Sequence, residues 1–205
     1  MQTIRLILAS LHFTLLAACT FVMEIPKGAT QSNLAEQRKP IKVALELDDT
    51  FRKFDWKYKA CSTCDTFVFP LGEHLVSRSE NVARSVYANV VTVSDETQLP
   101  GDVQLVVKPT VVKVDGANSL WAWNYGVMTI IIEWKLMTPD RQPKWVKAIK
   151  GSGQSEMGTL FSFKEQWTGR AKLMLDDVFR NAYAELTQIE YFRFGPRFSH
   201  VQVGQ

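Results

Sequence analysis

The spacing of hydrophobic and polar positions changes along the chain, and each change marks an element. After Pro40, Ile41-Lys42-Val43-Ala44-Leu45-Glu46-Leu47 alternates around one apolar face and stops at Asp48-Asp49, which predicts a strand and then a turn. From there to about Pro70 the pattern keeps no period, and the segment reads as a long irregular stretch. Its Phe51, Phe54, Trp56, Tyr58, Phe67 and Phe69 are too much apolar surface to leave in water, so it should pack on the body. Leu75, Val82, Val86 and Val90 then recur at helical spacing, with Ser77, Arg78, Glu80 and Arg84 between them, predicting a first helix from about Leu71. From Val90 to Val93 the residues turn β-branched and predict a short strand.

Three longer strands follow, Val103 to Val114, Trp121 to Met137 and Trp145 to about Gly151, separated by turn signals at Asp115-Gly116 and between Pro139 and Pro143. In the middle one Met128, Ile130, Ile132, Trp134 and Leu136 are all apolar while Glu133 and Lys135 alternate with them, so one face is buried and the other partly solvated. Pro109 cannot donate to a ladder and predicts an edge or a bulge in its strand. Ser162 followed by Glu165 makes a capping box, and Phe163, Trp167, Ala171, Met174, Val178, Ala182 and Leu186 form the core stripe of a long last helix ending near Tyr191. The order of elements predicts an α+β fold, a mostly antiparallel sheet of about five strands with two helices packed on one face.

Residues 1–18 stand outside that fold. Arg5 and the amino terminus supply positive charge, Leu6 to Leu16 an apolar stretch, and small residues precede Cys19. A spanning helix needs about 20 apolar residues, whereas a shorter run fits the core of an export signal. Residues 20–40 mix polar residues with Pro26, Gly28 and Pro40 and read as a tether. The expected organisation is therefore a signal over 1–18, a tether over 19–40, a single domain over 41–194 and a tail over 195–205.

The chain has 205 residues and a formal charge of +3, part of which leaves with Arg5, so nothing calls for nucleic acid. A mature chain of this size can bury about 70% of its unfolded surface, enough for one real core. Cys61-Ser62-Thr63-Cys64 admits three readings: a short-range disulfide made in an oxidising compartment, a redox-active pair, or half of a metal site. A thioredoxin-like pair sits at a helix N-terminus, yet here the following Asp65 to Pro70 looks extended. Zinc would need two further ligands, and His74 and His200 are the histidines of the mature chain, so no metal is expected. His74 lies beside Glu73, but adjacent helix residues do not face each other, and it reads as a surface histidine. Gly151-Ser152-Gly153-Gln154-Ser155 lacks the lysine and helix of a phosphate loop, so no cofactor and no enzymatic activity is expected. Trp121, Trp123 and Tyr125 share one face at period two; they are either core or a binding face for a ligand or protein partner.

Leu16-Ala17-Ala18-Cys19 resembles the lipobox of bacterial lipoproteins, in which the cysteine thiol is acylated before cleavage. That resemblance implies a mature chain anchored by lipid at Cys19 on the periplasmic side of a membrane, and Thr20 in place of Asp implies the outer membrane. Several acyl chains together anchor stably without a spanning helix. More broadly, Pro40 to Leu47, the Phe69-Pro70-Leu71-Gly72 helix entrance, and the Trp134 strand with its return at Trp145 are similar to small YajG-like lipoproteins of Gram-negative bacteria. The likeness extends to accessory lipoproteins of lipid transport and cell-wall synthesis. It implies a non-enzymatic accessory subunit of an envelope assembly, with thiol oxidoreductase and lipid- or peptidoglycan-binding structural roles as the alternatives.

Overall fold

The computed structural model describes residues 20–26, 38–59, 66–95, 99–118, 125–156 and 163–189. Along the chain these form β1 (Thr20–Val22), β2 (Lys39–Glu46), α1 (Asp49–Arg52), β3 (Asp55–Lys59), β4 (Thr66–Pro70), α2 (Gly72–Val86), β5 (Tyr87–Val93), β6 (Leu105–Asn118), β7 (Tyr125–Met137), β8 (Pro143–Glu156) and α3 (Phe163–Gln188). The strands make a five-stranded sheet in the order β5-β2-β6-β7-β8 and a three-stranded sheet in the order β1-β4-β3. The fold is α+β, with α2 and α3 packed on the larger sheet and on each other.

The larger sheet is mixed, and most of its paired residues are antiparallel, as expected. β6, β7 and β8 form an antiparallel meander, but β2 pairs in parallel with both β5 and β6. Parallel neighbours require a crossover, and the segment through β3, β4 and α2 supplies one, returning the chain as β5 beside β2. Alternation along a strand reports which face is buried and carries no information about the direction of its neighbours.

Where alternation was strongest it holds. Met128, Ile130, Ile132, Trp134 and Leu136 of β7 are all buried, and Trp134 meets Phe179 of α3 edge-on at 6.2 Å between ring centroids. Pro109 sits where β6 has a single partner: β2 pairs with β6 only from Leu105 to Val107, while Pro109 stands opposite Trp134 on β7. Two residues on, the register shifts between Val111 and Lys113, the bulge that leaves Val112 exposed. β2 is buried on both faces. Ile41, Val43 and Leu45 enter the main core under the helices, and Ala44 joins Val93, Val103, Val106 and Met137 in a second, smaller core on the far side.

α3 carries the expected stripe: Trp167, Ala171, Met174, Val178, Ala182 and Leu186 are all buried, whereas its Ser162 cap lies outside the described residues. Its last turn has no basic residue of its own. Lys39 of β2 supplies the charge instead, its Nζ donating to the carbonyls of Leu186 and Ile189 at 2.6 Å each. A cation at this end satisfies orphan carbonyls and opposes the helix dipole.

Glycine sets how close α3 comes. A Cβ on Gly153 would fall 1.9 Å from the Arg170 carbonyl oxygen, and one on Gly151 would fall 2.5 Å from Val178 Cβ. The Gly151-Ser152-Gly153 run is thus the seat of a helix backbone on a strand.

Two stretches are more ordered than their patterns suggested. The region from Asp48 to Pro70 holds α1, capped by Asp48 Oδ1 accepting from the Phe51 N–H at 2.9 Å, and the β3–β4 pair of the small sheet. Its alternating aromatics were legible as packed, but five residues at period two are too few to declare a strand. The tether expected over 19–40 also loses its first residues to the body. β1 pairs in parallel with β4, the Met23 N–H donates to the Val68 carbonyl at 2.8 Å, and Met23 and Ile25 are buried in the main core. Met23 and Ile25 need apolar cover, and the partner that provides it is distant in sequence.

Replacing Gly153 with valine should force α3 off its seat and lower the unfolding free energy by about 3 kcal/mol, an overpacking cost. Gly101→Ala, where an added Cβ meets nothing within 4 Å, is the control and should leave the urea midpoint unchanged. Equal midpoints for the two variants would refute the close seat.

Candidate functional site

The residues singled out by sequence for chemistry fall at the margins of the described structure. Cys19, Cys61, Cys64, Trp121, Trp123 and His200 lie outside the described residues, and Tyr125 is described only as the first residue of β7, opposite Glu156. Their neighbours are placed. The chain leaves β3 at Lys59 and re-enters β4 at Thr66, two residues directly paired in the small sheet, and Thr20 pairs with the same Thr66. The segment after Cys64 is a strand, as its extended look implied, and α2 starts only at Gly72.

His74 is half-buried on α2 and lines a shallow depression of about 450 Å³ with Glu73, Arg52 and Asp55. Among the described residues, no three His, Cys, Asp or Glu side chains gather as a metal site. Nor is any helix among them long and apolar enough to cross a membrane.

One aromatic cluster joins the two sheets. Trp56 and Tyr58 of β3, Phe69 of β4 and Trp167 of α3 pack with centroid separations of 4.9 to 6.5 Å. Gly116 of β6 lies beneath Trp56, since a Cβ there would meet the indole at 2.7 Å. Arg170 extends this cluster: its guanidinium lies 5.7 Å from the Trp167 ring and fills the space over Gly126, where a Cβ would stand 1.8 Å from its Nη1. At 3% exposure it is a buried cation, and desolvation pulls its pKa below the ordinary arginine value. Sequence could not have found Arg170, because its slot is made by a glycine on another element.

A second polar centre lies at the carboxyl end of β2. Glu46 is 2% exposed, and its carboxylate accepts from Lys108 Nζ at 2.7 Å and from Arg141 Nη1. Lys108 also faces Asp48 at 3.6 Å. Burial works to raise the Glu46 pKa, but the hydrogen bonds and charges of Lys108 and Arg141 together outweigh it and hold the carboxyl below its usual range. Arg141 has a φ of 69°, a left-handed conformation that is costly for a residue with a Cβ. The ion pair anchors that turn to β2, so this cluster fixes the loop between β7 and β8.

The third centre is open to solvent. α2 and α3 leave a cleft of about 250 Å³ between them, lined by Arg78, Asn81 and Ser85 on one side and by Asp176, Phe179 and Arg180 on the other. Asp176 bridges the helices, accepting from Arg78 Nη1 and from Lys172 Nζ at 2.6 Å. Desolvation would raise its pKa, yet the two cations prevail and lower it. Arg78 Nη2 is buried without a partner among the described residues, while Arg180, 64% exposed, donates to Asp177. Arg78 Nη2 is thus the donor left over in the cleft, and an oxygen anion such as a carboxylate complements it. In sequence Arg78 is only a polar residue between the apolar positions of the first helix, because the cleft exists only once α3 lies alongside.

No family model matches the chain, and no curated protein does. Among solved structures, a Xanthomonas campestris protein of the DUF330 family aligns at a TM-score of 0.45 and 8% identity, covering 82% of this chain and 97% of that one. A minor lipoprotein from Acinetobacter baumannii aligns at 0.45 and 9%, covering 74% and 93%. The PelC dodecamer protein from Paraburkholderia phytofirmans aligns at 0.32 and 15%, covering 74% and 94%.

Because the folded-state pKa of Glu46 is lowered, its stabilising contribution is complete above the ordinary value of 4.5 and disappears as pH falls through the lower folded value. Glu46→Gln should lose about 2 kcal/mol at neutral pH, less than a fully buried pair because Lys108 and Arg141 reach solvent. Its stability should also fall less steeply than the wild type as pH drops below about 5, on the order of a one-proton difference in slope. Parallel pH profiles for the two proteins would contradict the assignment.

Proposed function

We propose that this chain is an exported, lipid-anchored α+β domain that works as a non-enzymatic binding subunit of a cell-envelope assembly. The observation that carries the reading is the bounded apolar stretch Leu6 to Leu16 followed by Leu16-Ala17-Ala18-Cys19, a processing segment whose cysteine is the acceptor of acyl chains. Thr20 after the cysteine favours the outer membrane as the destination. Support for binding over catalysis comes from what the polar groups do. Glu46 anchors a turn, the half-buried Asp176 bridges two helices and Arg170 fills a glycine-walled slot, so each of these charges already has a structural task.

The partner-binding surface includes Trp121, Trp123 and Tyr125 at the entrance to β7. The arginine-lined cleft between α2 and α3 offers a separate recess for an acidic group of the partner. A thiol-exchange role for Cys61 and Cys64 is the second reading, favoured by their spacing alone, and a Cys61→Ser/Cys64→Ser protein that retains full biological activity would remove it.

Mass analysis of the protein from its own envelope should find Cys19 as the acylated first residue, and Cys19→Ser should leave the membrane fraction. An intact leader, or an unmodified thiol at the new amino terminus, overturns the anchoring. Crosslinking in intact envelopes should capture a partner that the folded Trp121→Ala/Trp123→Ala double variant loses. Unchanged capture eliminates that surface.

A further inference from the structure

The register of the small sheet sorts its side chains row by row. Thr20, Thr66 and Lys59 share one row, and Val22, Val68 and Lys57 share the next but one, so all six project from the same side. The row between them, Phe21, Phe67 and Tyr58, projects from the other side, toward the body, where Phe21 stacks on Phe67 at 5.8 Å and Tyr58 meets Trp167 at 4.9 Å. The inner face is thus aromatic and packed. The outer face carries Lys57 and Lys59, both exposed, among threonines and valines, and its acidic neighbours stand away from the Thr20 end: Asp55 pairs with Pro70, and Glu24 lies beyond Val22.

β1 is the edge of this sheet, and its Phe21 and Val22 are 47% and 56% exposed. An apolar edge strand left in water invites unwanted pairing unless something covers it. The chain itself indicates what does. Thr20 is already in the strand and follows Cys19 directly, so an acylated sulfur would sit about 3.8 Å of backbone from β1. With no spacer, the edge of β1 and the headgroup layer must meet.

We propose that the outer face of the small sheet, with Val22 at its edge, docks directly on the lipid leaflet that holds Cys19, making this sheet the membrane-facing side of the domain. The proposal rests on acylation of Cys19. Val22 enters the interfacial layer, and Lys57 and Lys59 meet anionic headgroups, which attract basic residues close to the surface. The direction of α3 then gives the domain a polarity. Trp167 marks the end near the leaflet, and the cleft at Arg180 lies about 20 Å further along the helix, turned toward whatever stands beyond the membrane surface.

Lysine acetylation read by mass spectrometry tests this on the protein as it exists. The acylated protein in vesicles of phosphatidylcholine with a minority of phosphatidylglycerol is compared with the soluble Cys19→Ser form. Lys57 and Lys59 should label several-fold less in the vesicles, while Lys147, which pairs with Glu185 toward the far end of α3, should label equally in both. Val22→Asp should restore labelling of Lys57 without releasing the acylated protein from the vesicle. Equal labelling of Lys57 and Lys59 in acylated and soluble protein overturns the docking and leaves the anchor standing. If natural Cys19 carries no lipid, the anchoring reading fails on its own, and coupling the Cys19 sulfur to a maleimide phospholipid still asks whether a linkage at that point brings the sheet onto a bilayer.

Discussion

The fold depends on the contact between α3 and the β7–β8 pair. The helix lies against two glycines of β8, and beneath it β7 buries five apolar side chains in succession. Interiors are packed as densely as organic crystals, so a helix this close leaves no room for adjustment. The consequences spread outward. α2 finds its place by packing on α3 and is fastened there through Asp176, and the α2–α3 cleft is the gap that remains. Trp167 at the near end of the same helix receives the aromatics of the small sheet, and Leu186 at the far end offers its carbonyl to Lys39.

How much of this was legible depended on the distance over which each element is decided. β7 and α3 announce themselves because their periods run for many residues and their partners are whatever lies on the apolar side. β1, β3 and β4 do not. Each is five residues or fewer, and each is a strand only because another of the three is present. Parallel pairing of β2 was equally hidden, since direction is decided by the crossover and leaves no mark on alternation. Pro109 is the instructive middle case: a missing N–H predicts a missing neighbour wherever it falls, and the neighbour is missing there.

The site residues divide along the same line. Cysteines and tryptophans attract notice in a sequence because they are rare and chemically loud, and Cys61, Cys64, Trp121 and Trp123 lie outside the described residues. Arg170, Glu46 and Arg78 are quiet in sequence, and the structure makes them significant. Each is polar on a segment read as regular, and each gains its role from a partner at least 44 residues away: Gly126 for Arg170, Arg141 for Glu46, and Asp176 for Arg78. Burial of charge is a property of pairs of segments, which is why no local pattern encodes it.

The Lys39 contact has a temporal side. It ties the first strand of the larger sheet to carbonyls 147 and 150 residues later, so this tie cannot form until nearly all of the chain has been made. Contacts of such sequence separation form slowly, because a large loop must close before they return any stability. This interior strand is thus held by two kinds of contact, ladders closed by Val107 and a single charge that waits for the last helix.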